Sequence, residues 1–143
     1  DFVIDEYQLF EGRAHGADAV LLIMGILSHA SYKHLFSLAR SLGMDPLVEV
    51  FDLGELEEAL ALSPRLIGIN NRNLDSLEVS LSVFEQLATE IPSGTTLVAE
   101  SGIKSVKDVR RMARAGANAV LVGESLMRTQ KGLPAHISSL ANS

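Results

Sequence analysis

The sequence predicts an α/β fold of strand–helix units around a parallel sheet, and three features carry that prediction. Short apolar runs recur without polar alternation, as in strands covered on both faces. Segments of helical period fill the gaps between them, and capping residues and glycines mark where those helices begin and end. Strand then helix, about six times over in 143 residues, reads as a run of βα units with right-handed crossovers.

Taken in order, the expected strands are Phe2 to Ile4, Ala19 to Ile23, Leu47 to Val50, Leu66 to Asn70, Thr96 to Glu100 and Ala119 to Gly123. The expected helices run over Tyr7 to His15, Ser31 to Leu42, Leu53 to Leu62, Val83 to Glu90 and Val106 to Ala115, with a last one from Ser125 or later. Asp52 with Glu55, Ser82 with Glu85 and Ser105 with Asp108 have the spacing of an N-cap and an acidic third helical residue, which together satisfy the first free amides. Gly16, Gly43 and Gly116 sit where left-handed C-caps belong. The stretch Ala14 to Leu22 also echoes Arg114 to Val122, about a hundred residues on. That echo fits either a duplicated half-barrel or convergence on a helix end, a Gly and a buried strand.

Two architectures compete, an open doubly wound sheet and a (β/α)8 barrel. Asp5-Glu6-Tyr7 follows Ile4, where a dinucleotide fold would place its Gly-rich turn, so the barrel gains. A complete barrel typically takes about 250 residues. The expectation is a single domain over 1–143: a partial TIM barrel of strands three to eight without the first two units, with 129–143 as a C-terminal helix or tail. Asp1 stands where an initiator Met would, which suits a longer parent polypeptide.

Composition narrows the function classes. The net charge of -6 argues against a nucleic-acid binder, which needs clustered Lys and Arg. With no Cys, disulfides, thiolate metal sites and a Cys nucleophile are excluded. No run reaches membrane-spanning length and no secretory n-region is visible, so a cytoplasmic location is expected. The four His show no metal-ligand spacing, and no cofactor motif is present; neither metal nor cofactor is expected.

Barrel chemistry sits at the carboxyl ends of strands, and the unusual polar residues collect there. Glu49 interrupts Leu47-Val48-Glu49-Val50, and Asn70-Asn71-Arg72-Asn73 follows another strand. Glu100 is followed by Ser101-Gly102, a pair able to offer amides and a hydroxyl to an anion. Gly123-Glu124 then opens a short helix. Each feature has a plainer reading, as a strand-end salt bridge, a solvated loop or an ordinary turn. Two Gly-containing loops after the last two strands nonetheless match the phosphate site that many barrels build after strands seven and eight.

With these residues in place, the segments Asp1 to Asp5, Leu47 to Val50, Gly68 to Leu74, Ala99 to Ile103 and Gly123 to Met127 resemble, in order, indole-3-glycerol phosphate synthase of tryptophan biosynthesis. The likeness runs from Asp1 to about Arg128. It implies a carboxy-lyase that closes the indole ring of 1-(2-carboxyphenylamino)-1-deoxyribulose 5-phosphate with loss of CO2 and water, without a cofactor. It also implies roles: Glu49, Asn70 and Glu100 catalytic, Arg72 and Ser101 on the substrate, and Ser101, Gly102, Gly123 and Glu124 at its phosphate. Backbone amides would serve at Gly and Glu, with the Glu124 side chain directed away from the anion.

The family's general-acid Lys stands immediately before the Asp-Phe pair, so this chain alone is expected to be inactive. Open sheet edges would favour self-association. The alternatives are another phosphosugar barrel, such as a phosphoribosylanthranilate isomerase or the tryptophan synthase α subunit, and a non-catalytic phosphate-binding module. The Asn70 to Leu74 stretch argues against the other enzymes.

Overall fold

The computed structural model describes residues 2–128 and 133–141. Its elements are α1 (Glu6–Ala14), β1 (Ala19–Ile23), α2 (His29–Ser41), β2 (Asp45–Val50), α3 (Leu53–Leu60), β3 (Leu66–Asn70), α4 (Ser82–Leu87), β4 (Thr96–Glu100), α5 (Val106–Arg114), β5 (Ala119–Leu121), α6 (Glu124–Arg128) and α7 (Leu133–Ala141). They cluster into two compact units. The first is Asp1–Gly68 with Pro92–Thr95, the second Ile69–Ile91 with Thr96–Ser143. Strand order follows chain order, β1-β2-β3 through the first unit and β3-β4-β5 through the second, with β3 giving residues to each. The α/β alternation and parallel pairing read from the sequence are both present.

In the first unit β1 and β2 pair in parallel from Ala19↔Asp45 to Ile23↔Glu49. Helix α2 buries Tyr32, Leu35, Phe36 and Ala39, the spacing that puts one stripe on one face. These pack with buried Leu22, Val48, Val50 and the α3 residues Leu56 and Ala59. Each such large side chain contributes about 1.5–3 kcal/mol. Tyr32 and Phe36 meet edge to face at 5.6 Å, and the Tyr32 hydroxyl donates to the Ala59 carbonyl at 3.0 Å, so the phenol is buried with its polar tip satisfied.

Residues 2–4, read from the sequence as a strand, lie outside the sheet. The Gln8 side chain takes their backbone groups: Ile4 N donates to its Oε1 at 2.8 Å, and its Nε2 donates to the Phe2 carbonyl at 3.1 Å. Gln8 is the reciprocal member of a capping box with Asp5, so helix initiation, not strand pairing, claims this segment. Only Val3 of the three is buried.

In the second unit β4 and β5 pair in parallel from Val98↔Ala119 to Glu100↔Leu121. Ile69, Phe84, Leu97, Val98, Ala99, Ile103 and Met112 are its main buried apolar residues. Arg111 of α5 grips Glu85 of α4 with two 2.7 Å bonds, the forked geometry that a guanidinium supplies. This bond holds the Glu85 carboxyl below the usual carboxylate range. Strand β5 stops at Leu121, two residues short of its expected end. The expected tail contains α7, while 129–132, 142 and 143 lie outside the described residues.

Helix ends follow the sequence closely at the C-termini. Gly16, Gly43 and Gly116 all have positive φ. In each case the following residue donates back to a carbonyl five residues earlier: Ala17 to Gly12, Met44 to Ala39, Ala117 to Met112. Gly43 makes this turn without the sequence echo shared by Gly16 and Gly116, so helix-end chemistry is enough to generate the motif.

At the N-termini, Asp52 accepts from Glu55 N at 2.9 Å and Ser105 from Asp108 N at 3.4 Å, as expected. Ser82 does not cap α4. It lies inside the helix and bonds Ser80 at 2.7 Å, while the free amide of Phe84 is taken by Asn71 Oδ1 at 3.1 Å. A long-range acceptor has replaced the local one.

Candidate functional site

Strand ends place three of the residues singled out from the sequence, Glu49, Asn70 and Glu100. Glu49 is the next-to-last residue of β2 in the first unit and is buried. In the second unit, Asn70 and Glu100 close β3 and β4, and both are buried. Asn70 Oδ1 accepts from Arg72 N at 3.0 Å, which turns the chain sharply as it leaves the strand.

After Glu100 the backbone enters the left-handed region twice running, at Ser101 (φ 61) and Gly102 (φ 77). A side chain at Gly102 would meet Val79 Cγ1 at 2.7 Å and Leu81 Cδ2 at 3.1 Å, so both conformation and space require Gly. Ser101 has no such excuse. A non-Gly residue held there is strained and needs surroundings that enforce it.

A cavity of about 620 Å³ opens within the second unit, lined among others by Arg72, Ser101, Gly102, Gly123, Glu124 and Arg128. Arg72 Nη2 donates to Glu124 Oε2 at 2.5 Å, and Arg128 Nε lies 3.0 Å from Glu124 Oε1. The carboxylate is thus bracketed by two guanidiniums on the cavity lining. The Glu124 side chain, expected to point away from the anion, lines the cavity instead because Arg72 and Arg128 attract it.

Arg72, Ser101, Gly102, Gly123 and Glu124 therefore share one cavity, with Asn70 and Glu100 at the strand ends that lead into it. Sequence reasoning missed Lys104, Arg128 and His136, which also line it. Arg128 was findable, since it stands one helical turn from Glu124. His136 carries no local signal. Asn71 was passed over beside Asn70, although it is wholly buried. Among the described residues no group of three or more His, Asp or Glu could hold a metal ion, and no helix is long and apolar enough to cross a membrane.

Parallel βα units in the sequential strand order β1-β2-β3-β4-β5, without the order reversal of a doubly wound sheet, give a TIM-barrel-like arrangement, and solved structures agree on the fold. A tryptophan synthase α-subunit mutant from Pyrococcus furiosus matches with a TM-score of 0.73 at 19% identity, over 96% of this chain and 60% of that one. A mandelate oxidase mutant matches with 0.75 at 17% identity, over 99% and 54%.

The family is shown by sequence: the family model of indole-3-glycerol phosphate synthase matches residues 1–140, and the chain belongs to that family. Synthases from Albidiferax ferrireducens and Arthrobacter sp. (strain FB24) are 56% and 51% identical over 128 and 127 residues. Those matches cover 90% and 89% of this chain but 48% and 47% of the relatives, so the chain spans about half their length. A multifunctional tryptophan biosynthesis protein of Schizosaccharomyces pombe is 50% identical over 90% of this chain and 17% of its own.

Proposed function

We propose that the polypeptide carrying this sequence converts 1-(2-carboxyphenylamino)-1-deoxyribulose 5-phosphate to indole-3-glycerol phosphate, with the second unit supplying the phosphate and carboxylate contacts. The observation that supports it best is the shared cavity. Two guanidiniums, Arg72 and Arg128, and two Gly-containing turns from different strand ends line the same space, matching a small substrate with two anionic groups.

Ring closure forms a bond to the ketone carbon and builds charge on its oxygen, which needs an acid; the ring carboxylate then leaves as CO2, and dehydration needs a proton removed and the hydroxyl released as water. In this reading Glu100 moves a proton, Asn70 orients a hydroxyl through its carboxamide, and Arg72 takes the planar carboxylate. Ser101, Gly102, Gly123 and the Glu124 amide receive the phosphate. The resemblance assigns Glu49 of the first unit a catalytic role as well. Turnover belongs to a polypeptide that also carries the family's general-acid Lys, and residues 1–143 alone are assigned none.

The test is conversion of the synthetic substrate, followed by indole absorbance, in the full polypeptide and in its Glu100→Gln variant. Turnover that falls about a hundredfold to ten-thousandfold in the variant supports the reading. A parent polypeptide that binds inorganic phosphate and never turns over the substrate overturns it in favour of a binding module.

A further inference from the structure

We propose that Asn71, the neighbour of the assigned Asn70, is a positioning residue whose buried carboxamide holds the Ser101-Gly102 turn in its left-handed, anion-receiving form. The proposal deepens the phosphate reading above and rests on it. Asn71 is fully buried. Its Nδ2 donates to the carbonyls of Glu100 at 3.0 Å and Ser101 at 3.3 Å, and its Oδ1 accepts from Phe84 N at 3.1 Å. Two carbonyls accept and one amide donates, so a single orientation of the carboxamide matches all three. Its main chain is equally committed, donating to the Glu100 carbonyl and accepting from Ser80 N, both at 2.9 Å.

These bonds converge on Ser101, which with Ser63 and Leu77 is one of the non-Gly residues held at positive φ among the described residues. The two carbonyls held by Nδ2 belong to the peptides entering and leaving Ser101. That brackets the φ of 61 that an L side chain resists. From behind, Val79 and Leu81 close on Gly102, and Asn71 also sets their approach by accepting from Ser80 N and Phe84 N. One side chain thus ties the end of β3, the turn after β4 and the start of α4 together.

The chemistry requires an amide at this position. An Asp keeps the acceptor for Phe84 N but sets a carboxylate oxygen against two carbonyl oxygens. The repulsion drives the turn away while volume and burial stay the same. Burying a carboxylate is costly at any site, so a displacement confined to Ser101 and Gly102 is what separates holding the turn from general destabilisation.

The experiment compares the full polypeptide with its Asn71→Asp variant by NMR, titrating inorganic phosphate and following the amides of Ser101, Gly102 and, as a remote control, Gly94. The expected result is at least a tenfold weaker phosphate affinity, with Ser101 and Gly102 amides displaced before any phosphate is added and Gly94 unmoved. Far-UV dichroism and a cooperative melt confirm that the variant is folded; if it is not, Asn71→Ser is read in the same way. A folded variant that binds phosphate within twofold of the parent, with Ser101 and Gly102 unmoved, overturns the proposal. If the parent itself binds no phosphate, the phosphate reading fails. Displacement of Ser101 and Gly102 in the variant then still shows that Asn71 holds the turn, and its absence shows that it does not.

Discussion

Arg72 Nη2 and Glu124 Oε2 lie 2.5 Å apart on the lining of the second unit's cavity, so the guanidinium proposed to receive an anion is already engaged by a carboxylate. Any anion entering the cavity competes with Glu124 for Arg72 and Arg128 and is repelled by it. Glu124→Gln removes one negative charge and leaves the backbone amide in place. Phosphate affinity is expected to rise about three- to tenfold at low ionic strength, the scale of one charge acting through a few ångströms of largely aqueous medium. The gain should shrink as salt is added. Titration calorimetry measures both, and weaker binding by the variant would show that Glu124 orients Arg72 productively.

The Gly102 turn separates conformational from steric cost. Gly94 has φ +96 and open space around its missing side chain, whereas Gly102 has φ +77 and Val79 at 2.7 Å. Gly94→Ala is expected to cost about 1–2 kcal/mol for the left-handed backbone alone. Gly102→Ala adds the cost of overpacking, about 1–3 kcal/mol more. Urea unfolding of the two variants gives the difference. Equal losses would mean that Val79 and Leu81 yield freely.

Where the sequence was legible, the cause was local. Gly43 ends a helix because its own backbone turns left-handed, and Asp52 caps one because its oxygen reaches an amide three residues on. Glu100-Ser101-Gly102 stood out because a carboxylate and a turn residue close a buried strand. Phe2 to Ile4 misled because apolar content says nothing of which partner takes the backbone, and Gln8 took it. Asn71 was illegible for the same reason. Its side-chain partners lie 13 to 30 residues away, and no spacing rule distinguishes it from Asn70.

Ser105 and Ser82 make that difference measurable. Both have an acidic residue three positions on, yet only Ser105 caps its helix, accepting from Asp108 N and donating to Asp108 Oδ2 at 2.8 Å. Ser105→Ala is expected to lose about 1 kcal/mol. Ser82→Ala should fall within about 0.5 kcal/mol of the parent, since the half-buried Ser82 makes no cap and bonds only the Ser80 hydroxyl. Equal losses in thermal unfolding would restore Ser82 as a working cap.

Burial pushes the Tyr32 phenol well above its ordinary value of 10.0, and the charge of Glu58 adds to the effect. The sign follows from linkage. Above pH 10 the unfolded chain releases the Tyr32 proton while the folded chain keeps it, so unfolding gains a proton release that folding cannot match. The stability tied to the neutral phenol is therefore complete below about pH 10 and is lost progressively as pH rises beyond it. Tyr32→Phe removes the ionisation together with the hydrogen bond to Ala59. At neutral pH the variant should be less stable by about 0.5–1.5 kcal/mol, the net worth of one such bond. In alkaline solution the order should narrow and then reverse, because only the parent continues to lose stability through this group. Urea midpoints of parent and variant, followed from neutral pH into the alkaline range, decide it. Parallel curves would mean that Tyr32 reaches solvent before the fold opens.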